Sequence, residues 1–411
     1  MDFDIEDATR AVDVNALMDL LPRRPRLLAL GEPTHRQGTL LDLRNDLFRG
    51  LVEQHGYRTI AIESDCLMGL VVDEYVTGGP GTLDEVMEHG FSHQWGADQG
   101  NRDLVRWMRS HNEGRPAHEQ VRFVGFDGPW EMTGARSPRQ ALTALHEFLS
   151  AHVDSDLSPC TARTLRDLLG SDDQWTEPEA MMDPTRSVGR SAEADRLRLI
   201  AHDLVALLEE HAPHLIAKTS EEGMGRARLH GRTATGLLRY HQCMADTSPA
   251  RMSRLLSVRD AMMAHNLLAT AERSATLVHA HNAHLQRHKS SMSMWQGRVE
   301  WWSAGALVNA RLGEEYAFLH TALGTLPGQG VGAPPPRTVE GLLYALEGDH
   351  HLVDPHLLAQ ALEETPLPPR ESPWFGYAPL DPAHLARIDG LVFVRDVAWI
   401  VDGKFLKPPR T

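Results

Sequence analysis

Two short segments bring histidine and carboxylate chemistry to the ends of apolar runs, Gly31-Glu32-Pro33-Thr34-His35 and His279-Ala280-His281-Asn282-Ala283-His284. Each sits at the end of an apolar run, Arg26-Leu27-Leu28-Ala29-Leu30 in the first case and Ala275-Thr276-Leu277-Val278 in the second. Two further runs stop in the same way, Thr59-Ile60-Ala61-Ile62 at Glu63-Ser64-Asp65 and Val121 to Phe126 at Asp127. An imidazole with a reference pKa near 6.5 can take a proton from water and return it to a leaving group. A carboxylate such as Glu63 can hold that imidazole in the required tautomer, or bind the attacking water itself. Arg44, nine residues after His35, offers a cation to an oxyanion. These parts suit hydrolysis of an activated carbonyl, an ester or a lactone, without a covalent serine intermediate.

Other readings stand beside that one. His279 alternates with His281 along a strand and reads as buried in the sheet. Glu32 is either an acid of the site or a turn former, and Asp127 either supports the site or caps the segment that follows. Arg259 and Asp260 are either site residues or an exposed pair on a helix. His281 and His284, with His279, His288, His35 and Glu63, also form a nitrogen and oxygen ligand set. Their spacing matches no standard zinc pattern, so no metal is assigned.

Short apolar runs without alternation indicate strands covered on both faces, and in a parallel sheet their carboxyl ends share one edge. Between the first two runs, Leu40, Leu43, Leu47 and Leu51 form a helical stripe that ends at Gly56. Leu104, Val105, Trp107 and Met108 repeat the pattern over Asp103 to Asn112. The expected fold is α/β, with a mostly parallel central sheet, flanking helices and a helical insertion or cap over an active-site cleft. Residues 1–135 form the first half of the core, 136–247 the helical insertion, and 248–411 the second half. Within the insertion, Ala192 to His211 and Ala227 to Met244 have helical spacing, and Ser171 to Gly189, with Trp175, reads as an exposed connection. Ser248-Pro249 reads as the cap and first turn of a long helix reaching Ala271. Tyr316 to Leu323, His351 to Val353 and Leu391 to Val394 complete the sheet. Gly324 to Arg337 and the proline-rich Glu364 to Pro382 are loops, the second bringing Trp374, Phe375 and Tyr377 toward a substrate wall or onto their own domain.

Composition narrows the class. A chain of 411 residues with a net charge of -15 lacks the basic surface that nucleic acid or an anionic membrane requires, and a neutral or cationic small molecule is easier to accommodate. No run approaches a transmembrane helix and the acidic start is unlike a signal peptide, which points to the cytoplasm. Cys66, Cys160 and Cys243 are too scattered for a disulfide framework. There is no G-x-S-x-G elbow, H-E-x-x-H helix or P-loop, and Gly328-Gln329-Gly330-Val331-Gly332 is no dinucleotide fingerprint. No cofactor is expected.

Taken in order, Gly31 to His35, Arg44, Ile62 to Asp65, Gly125-Phe126-Asp127, Arg259-Asp260 with Met263 and Asn266, and Ala280 to His284 resemble the erythromycin esterase family. The segment Ile388 to Phe393 is similar to that family's last strand. The resemblance implies an α/β core around a deep cleft and the opening of a macrolide lactone by a histidine-activated water, generally without a required metal. It makes His35 the base, Glu63 its carboxylate partner, and Arg44, His281 and His284 the remaining catalytic set, with Glu32 matching the family's first acid. Glu32, Arg36, Asp127, Arg259 and Asn282 are expected to bind substrate or support that set. Arg36 and Ala283 stand where the family commonly has glycine. Three uses follow for a macrolide- or polyketide-like substrate: hydrolysis; a biosynthetic tailoring step such as dehydration, cyclisation or acyl transfer; and binding without turnover. Oligomeric state is not written in these motifs.

Overall fold

The computed structural model describes residues 5–131, 134–294, 297–363, 366–374, 376–397, 399–401 and 404–406. Phe375 lies outside them. The chain divides into two compact units, one of Met1–Glu63, Gly69–Gly125 and Leu267–Thr411, the other of Ser64–Met68 and Phe126–Asn266.

The first unit is built on an eight-stranded sheet. Its strands are β1 (Thr9–Arg10), β2 (Leu27–Glu32), β3 (Thr59–Asp65), β4 (Arg122–Asp127), β5 (Thr276–His281), β6 (Tyr316–Thr325), β7 (His350–Val353) and β8 (Gly390–Asp396). Across the sheet they run β1-β7-β8-β6-β2-β5-β3-β4. The pairs β8/β6, β6/β2, β2/β5 and β5/β3 are parallel, whereas β7 runs antiparallel to both β1 and β8. The apolar runs became strands because their residues are enclosed on both faces: every residue of β2, β3 and β6 is buried.

Helix α1 (Gly38–His55) follows β2 and turns Leu40, Leu47 and Leu51 into the core, with Leu43 packed at its margin. It stops where the leucine stripe predicts, at Gly56, whose φ of 65° suits a residue without Cβ. Helix α2 (Gln99–Asn112) buries Leu104, Val105 and Met108 on the same core.

The second unit is helical. Its members α3 (Arg139–His152), α4 (Ala192–Glu210) and α5 (Glu221–Met244) enclose Leu142, Leu145, Leu197, Leu204, Leu208 and Leu238, and α6 (Arg251–Ala271), whose residues from Leu267 on belong to the first unit, follows them. Two expectations are corrected here. Ser248 does not cap α6, which begins at Arg251; the Ser248 hydroxyl donates to Asp246 Oδ2 at 3.0 Å instead. Trp175 is not on an exposed connection. Its ring is buried and its Nε1 donates to the Leu169 carbonyl at 2.9 Å, which satisfies the one polar atom of the indole.

Glycine is required at one point that matters for the site. A Cβ on Gly31 would stand 2.0 Å from Asn282 Oδ1, and Asn282 cannot withdraw, because its Nδ2 donates to Thr321 O at 2.9 Å and its Oδ1 accepts from Thr321 N at 3.3 Å. Gly31→Ala should therefore lower stability by about 2 kcal/mol or more in urea unfolding. Gly332→Ala, where a Cβ meets nothing within 4 Å, should shift it by less than about 0.5 kcal/mol.

Candidate active site

Register assembles the site. In the β2/β5 ladder Leu30 pairs with His279 and Glu32 with His281, and in the β5/β3 ladder His279 pairs with Ile62. Three parallel strands thus deliver Glu32, His281 and Glu63 to one edge of the sheet, where the chain leaves each strand for a turn. After β5 the turn is the short helix α7 (Asn282–Leu285), which carries His284.

Glu32 is buried, with Oε1 2.7 Å from His35 Nδ1 and Oε2 3.3 Å from His279 Nε2. Burial alone would raise its pKa, but His279 and His35 more than offset that and hold the carboxyl well below the usual carboxylate range. A carboxylate can only accept, so Nδ1 of His35 carries the proton and, in the neutral ring, Nε2 keeps its lone pair. That Nε2 lies 4.0 Å from Glu63 Oε1, and the His35 side chain is 37% exposed. Glu63 is itself fixed, its Oε2 accepting from the His281 backbone N–H at 2.9 Å and its Oε1 lying 3.4 Å from His284 Nε2.

Two rings flank His35. Trp95 and His281 each lie with ring centroids 5.2 Å from it. Burial, with His35 beside it, pushes the His281 pKa down to about 3. The Ala283 backbone N–H donates to His281 Nδ1 at 3.2 Å, so the neutral ring bears its hydrogen on Nε2. His281 is thereby a neutral hydrogen-bond donor beside His35. Behind it, His320 lies 3.3 Å from Asn282 Nδ2 and is pushed down to about 3 by burial and by His281.

Arg44 is placed differently from the expectation of an oxyanion donor. Its side chain is fully buried, because position 44 falls within the leucine stripe of α1. Nη1 donates to Asn101 Oδ1 at 2.9 Å, and Nε and Nη2 to Asn45 Oδ1 at 3.1 and 2.8 Å. Burial lowers its pKa to about 10 while the Glu32 charge acts to raise it. Asn282 also turns inward, between Gly31 and Thr321, rather than toward substrate.

Arg36 has φ 64°, and its Nε lies 3.1 and 3.3 Å from the two Asp98 oxygens. Burial lifts Asp98 above the usual carboxylate range even so. His279 is buried in the sheet, as its alternation with His281 predicts, and in addition faces Glu32. His288 stacks on His384 at 3.6 Å between centroids. Within the helical unit Asp127 accepts from Gly128 N at 2.8 Å and pairs with Arg259, whose Nη2 is 2.7 Å from Oδ2; Asp260 is buried rather than part of an exposed pair. The proline-rich loop packs on its own unit: Tyr377 is buried against Arg370, and Ala378 N donates to Pro33 O at 2.8 Å. Among the described residues no three His, Cys, Asp or Glu side chains converge as a metal-binding group.

The chain matches the sequence profile of the erythromycin esterase family over residues 52–397. It belongs to the erythromycin esterase family. It is 23% identical over 308 residues to erythromycin esterase type II of Escherichia coli, spanning 72% of this chain and 68% of that protein. Its fold is similar to that of a Bacillus cereus protein solved by crystallography, with a TM-score of 0.71, 18% identity and 95% of both chains covered. It is also similar to an erythromycin esterase variant in its open conformation, with a TM-score of 0.67, 18% identity, and 93% of this chain and 94% of that one covered. Family membership supports a hydrolase-like activity. Glu63, His281 and His284 fall inside the matched segment; Glu32 and His35 precede it, Glu32 pairing with His281 in the β2/β5 ladder.

Sequence reasoning missed Trp95, Asp98 and His320. Trp95 and Asp98 occupy an aperiodic stretch, whereas His320-Thr321 stands out as a polar pair inside an apolar run. His320 carries a stability prediction. In the unfolded chain it titrates near 6.5, in the fold near 3, so between those values the unfolded state binds more protons and stability falls as pH falls. Going from pH 7 to pH 5 should cost on the order of 2 kcal/mol through this residue, and His320→Gln should flatten that part of the pH dependence in urea titrations. Arg36→Gly relieves a left-handed non-glycine residue worth ~1–2 kcal/mol, loses a half-exposed ion pair worth at most ~1, and adds unfolded-state entropy worth ~0.5–1. Its stability should stay within about 1 kcal/mol of the parent by the same measurement.

Proposed function

We propose that the protein hydrolyses an ester or lactone with a water activated by His35. The observation that carries this reading is the 2.7 Å contact of His35 Nδ1 with a buried, ionised Glu32, which leaves Nε2 facing Glu63 at 4.0 Å. In this reading Nε2 takes a proton from water, the hydroxide oxygen attacks the carbonyl carbon, and the carbonyl electron pair moves onto its oxygen. His281 Nε2–H donates to that oxyanion as a neutral imidazole. On collapse the C–O bond to the leaving group breaks, and the His35 imidazolium returns its proton to the departing alkoxide. Glu63, held by the His281 backbone and beside His284, orients the water and favours the imidazolium. A lactone yields one hydroxy acid, an ester an acid and an alcohol, and no cofactor is needed.

The Escherichia coli relative is named for erythromycin, which makes a macrocyclic lactone the first substrate class to try. Incubation with a macrolide panel in 18O-labelled water should give a product heavier by one labelled water. His35→Ala should lower kcat/KM by about 10²–10⁴. Glu32→Gln, whose amide can present its N–H to Nδ1 and reverse the tautomer, should lose activity over a similar range. A product without label, dependent on His35, would instead indicate dehydration or acyl transfer at the same site. Full activity in His35→Ala would sink the mechanism.

A further inference from the structure

Among the described residues only Arg36, His93 and Gln94 are non-glycine residues with positive φ, at 64°, 54° and 59°. All three border His35: one follows it in the chain, and two immediately precede Trp95, whose ring packs on it. Left-handed backbone at a residue with a Cβ persists only where its surroundings impose it, and such residues gather at functional sites. At Arg36 the conformation directs the guanidinium to Asp98, at the end of the short helical turn Trp95–Ala97. Both Asp98 oxygens are taken up by a single nitrogen, Nε. The edge formed by Nη1 and Nη2 therefore has no protein partner among the described residues, and the side chain is 44% exposed.

A guanidinium fixed on one edge and open on the other is an oriented receptor for a planar anion. Two parallel N–H groups match the two oxygens of a carboxylate. Because Asp98 has already ordered the side chain, little rotamer freedom is lost on binding. The overall charge of -15 does not decide the matter, since exposed charges beyond about 10 Å are screened at moderate salt.

Resting on the hydrolase reading, we propose that Arg36 is a specificity-determining residue that binds a carboxylate carried by the substrate a few bonds from the scissile carbonyl. The preferred substrate class is thus an ester or lactone with an acidic group. Asp98 is the positioning residue that aims the receptor.

Binding without turnover tests this. N-Butylsuccinamate places a carboxylate at that distance from an amide carbonyl, and N-butylpentanamide is its uncharged analogue. Calorimetry on the full chain should show the succinamate binding at least about tenfold tighter, with the preference reduced by added salt. Arg36→Gly should bring the two ligands to within about twofold, with a single cooperative melting transition within a few degrees of the parent's as the control for folding. Arg36→Lys should keep part of the preference, because an ammonium supplies charge without the fork. The proposal is overturned if the parent shows no preference, including no detectable binding of the succinamate, or if Arg36→Gly retains it. Turnover plays no part in this readout, so a failure of His35-dependent hydrolysis would strike the reaction and leave the recognition result to be judged by itself.

Discussion

The buried charge of Glu32 is the constraint to which the rest of the site answers. Enclosing a carboxylate costs several kcal/mol unless nearby groups compensate it. Compensation comes from three directions: His279 on the neighbouring strand, His35 three residues on, and the buried Arg44 of α1, which feels the Glu32 charge. A carboxylate kept ionised in this way fixes the His35 tautomer. Electrostatic balance around Glu32 and the orientation of the His35 imidazole are one arrangement.

That arrangement closes on itself through Arg44. Its guanidinium holds Asn101 and Asn45; Asn101 Nδ2 donates to the Trp95 carbonyl at 3.0 Å and Asn45 Nδ2 to the Gly100 carbonyl at 2.8 Å. The cation that feels the Glu32 charge therefore also positions the backbone of Trp95, whose ring packs on His35. A buried arginine with all three nitrogens engaged is poorly suited to meet a substrate, and well suited to transmit a change in α1 or α2 to the imidazole. Removing it would leave two carboxamides and a carboxylate short of partners, so its effect on activity would not distinguish chemistry from architecture.

Much of this was legible in the chain, and where it was not the reason is physical. Strand ends were readable because parallel strands covered on both faces must be continuously apolar, so Glu32, Glu63 and His281 appear as the places where that rule stops. The end of α1 was readable because Gly56 combines the close of a leucine stripe with a residue that tolerates positive φ. Arg44 was found but misplaced. It lies four residues after Leu40 and three before Leu47, on the buried stripe itself, and that spacing was the available signal that it points inward. The contact of His279 with Glu32 is not legible from alternation, which describes one strand only; it comes from the register of β5 against β2, which depends on pairing between segments some 250 residues apart. Trp95 and Asp98 left no periodic trace, since the short helical turn that carries them is fixed by tertiary contacts rather than by pattern.

The two kinds of residue differ in what change they tolerate. Glu32, Glu63 and His281 are set by ladder hydrogen bonds, and a one-residue slip would turn each to the opposite face of the sheet. Gly31 adds a steric lock, because Asn282 fills the space a Cβ would need. Chemistry placed on strand ends is therefore hard to move without losing the sheet. Arg36, Trp95 and Asp98 stand on turns joined by one ion pair and a ring contact, and at the half-exposed Arg36 substitution costs little fold stability. In the proposed reading, such a site keeps one way of activating water while the groups around His35 exchange one substrate for another. A cation held beside His35 by a left-handed turn is a feature of the second kind, and the proposed selectivity rests on it rather than on the histidine and carboxylate set.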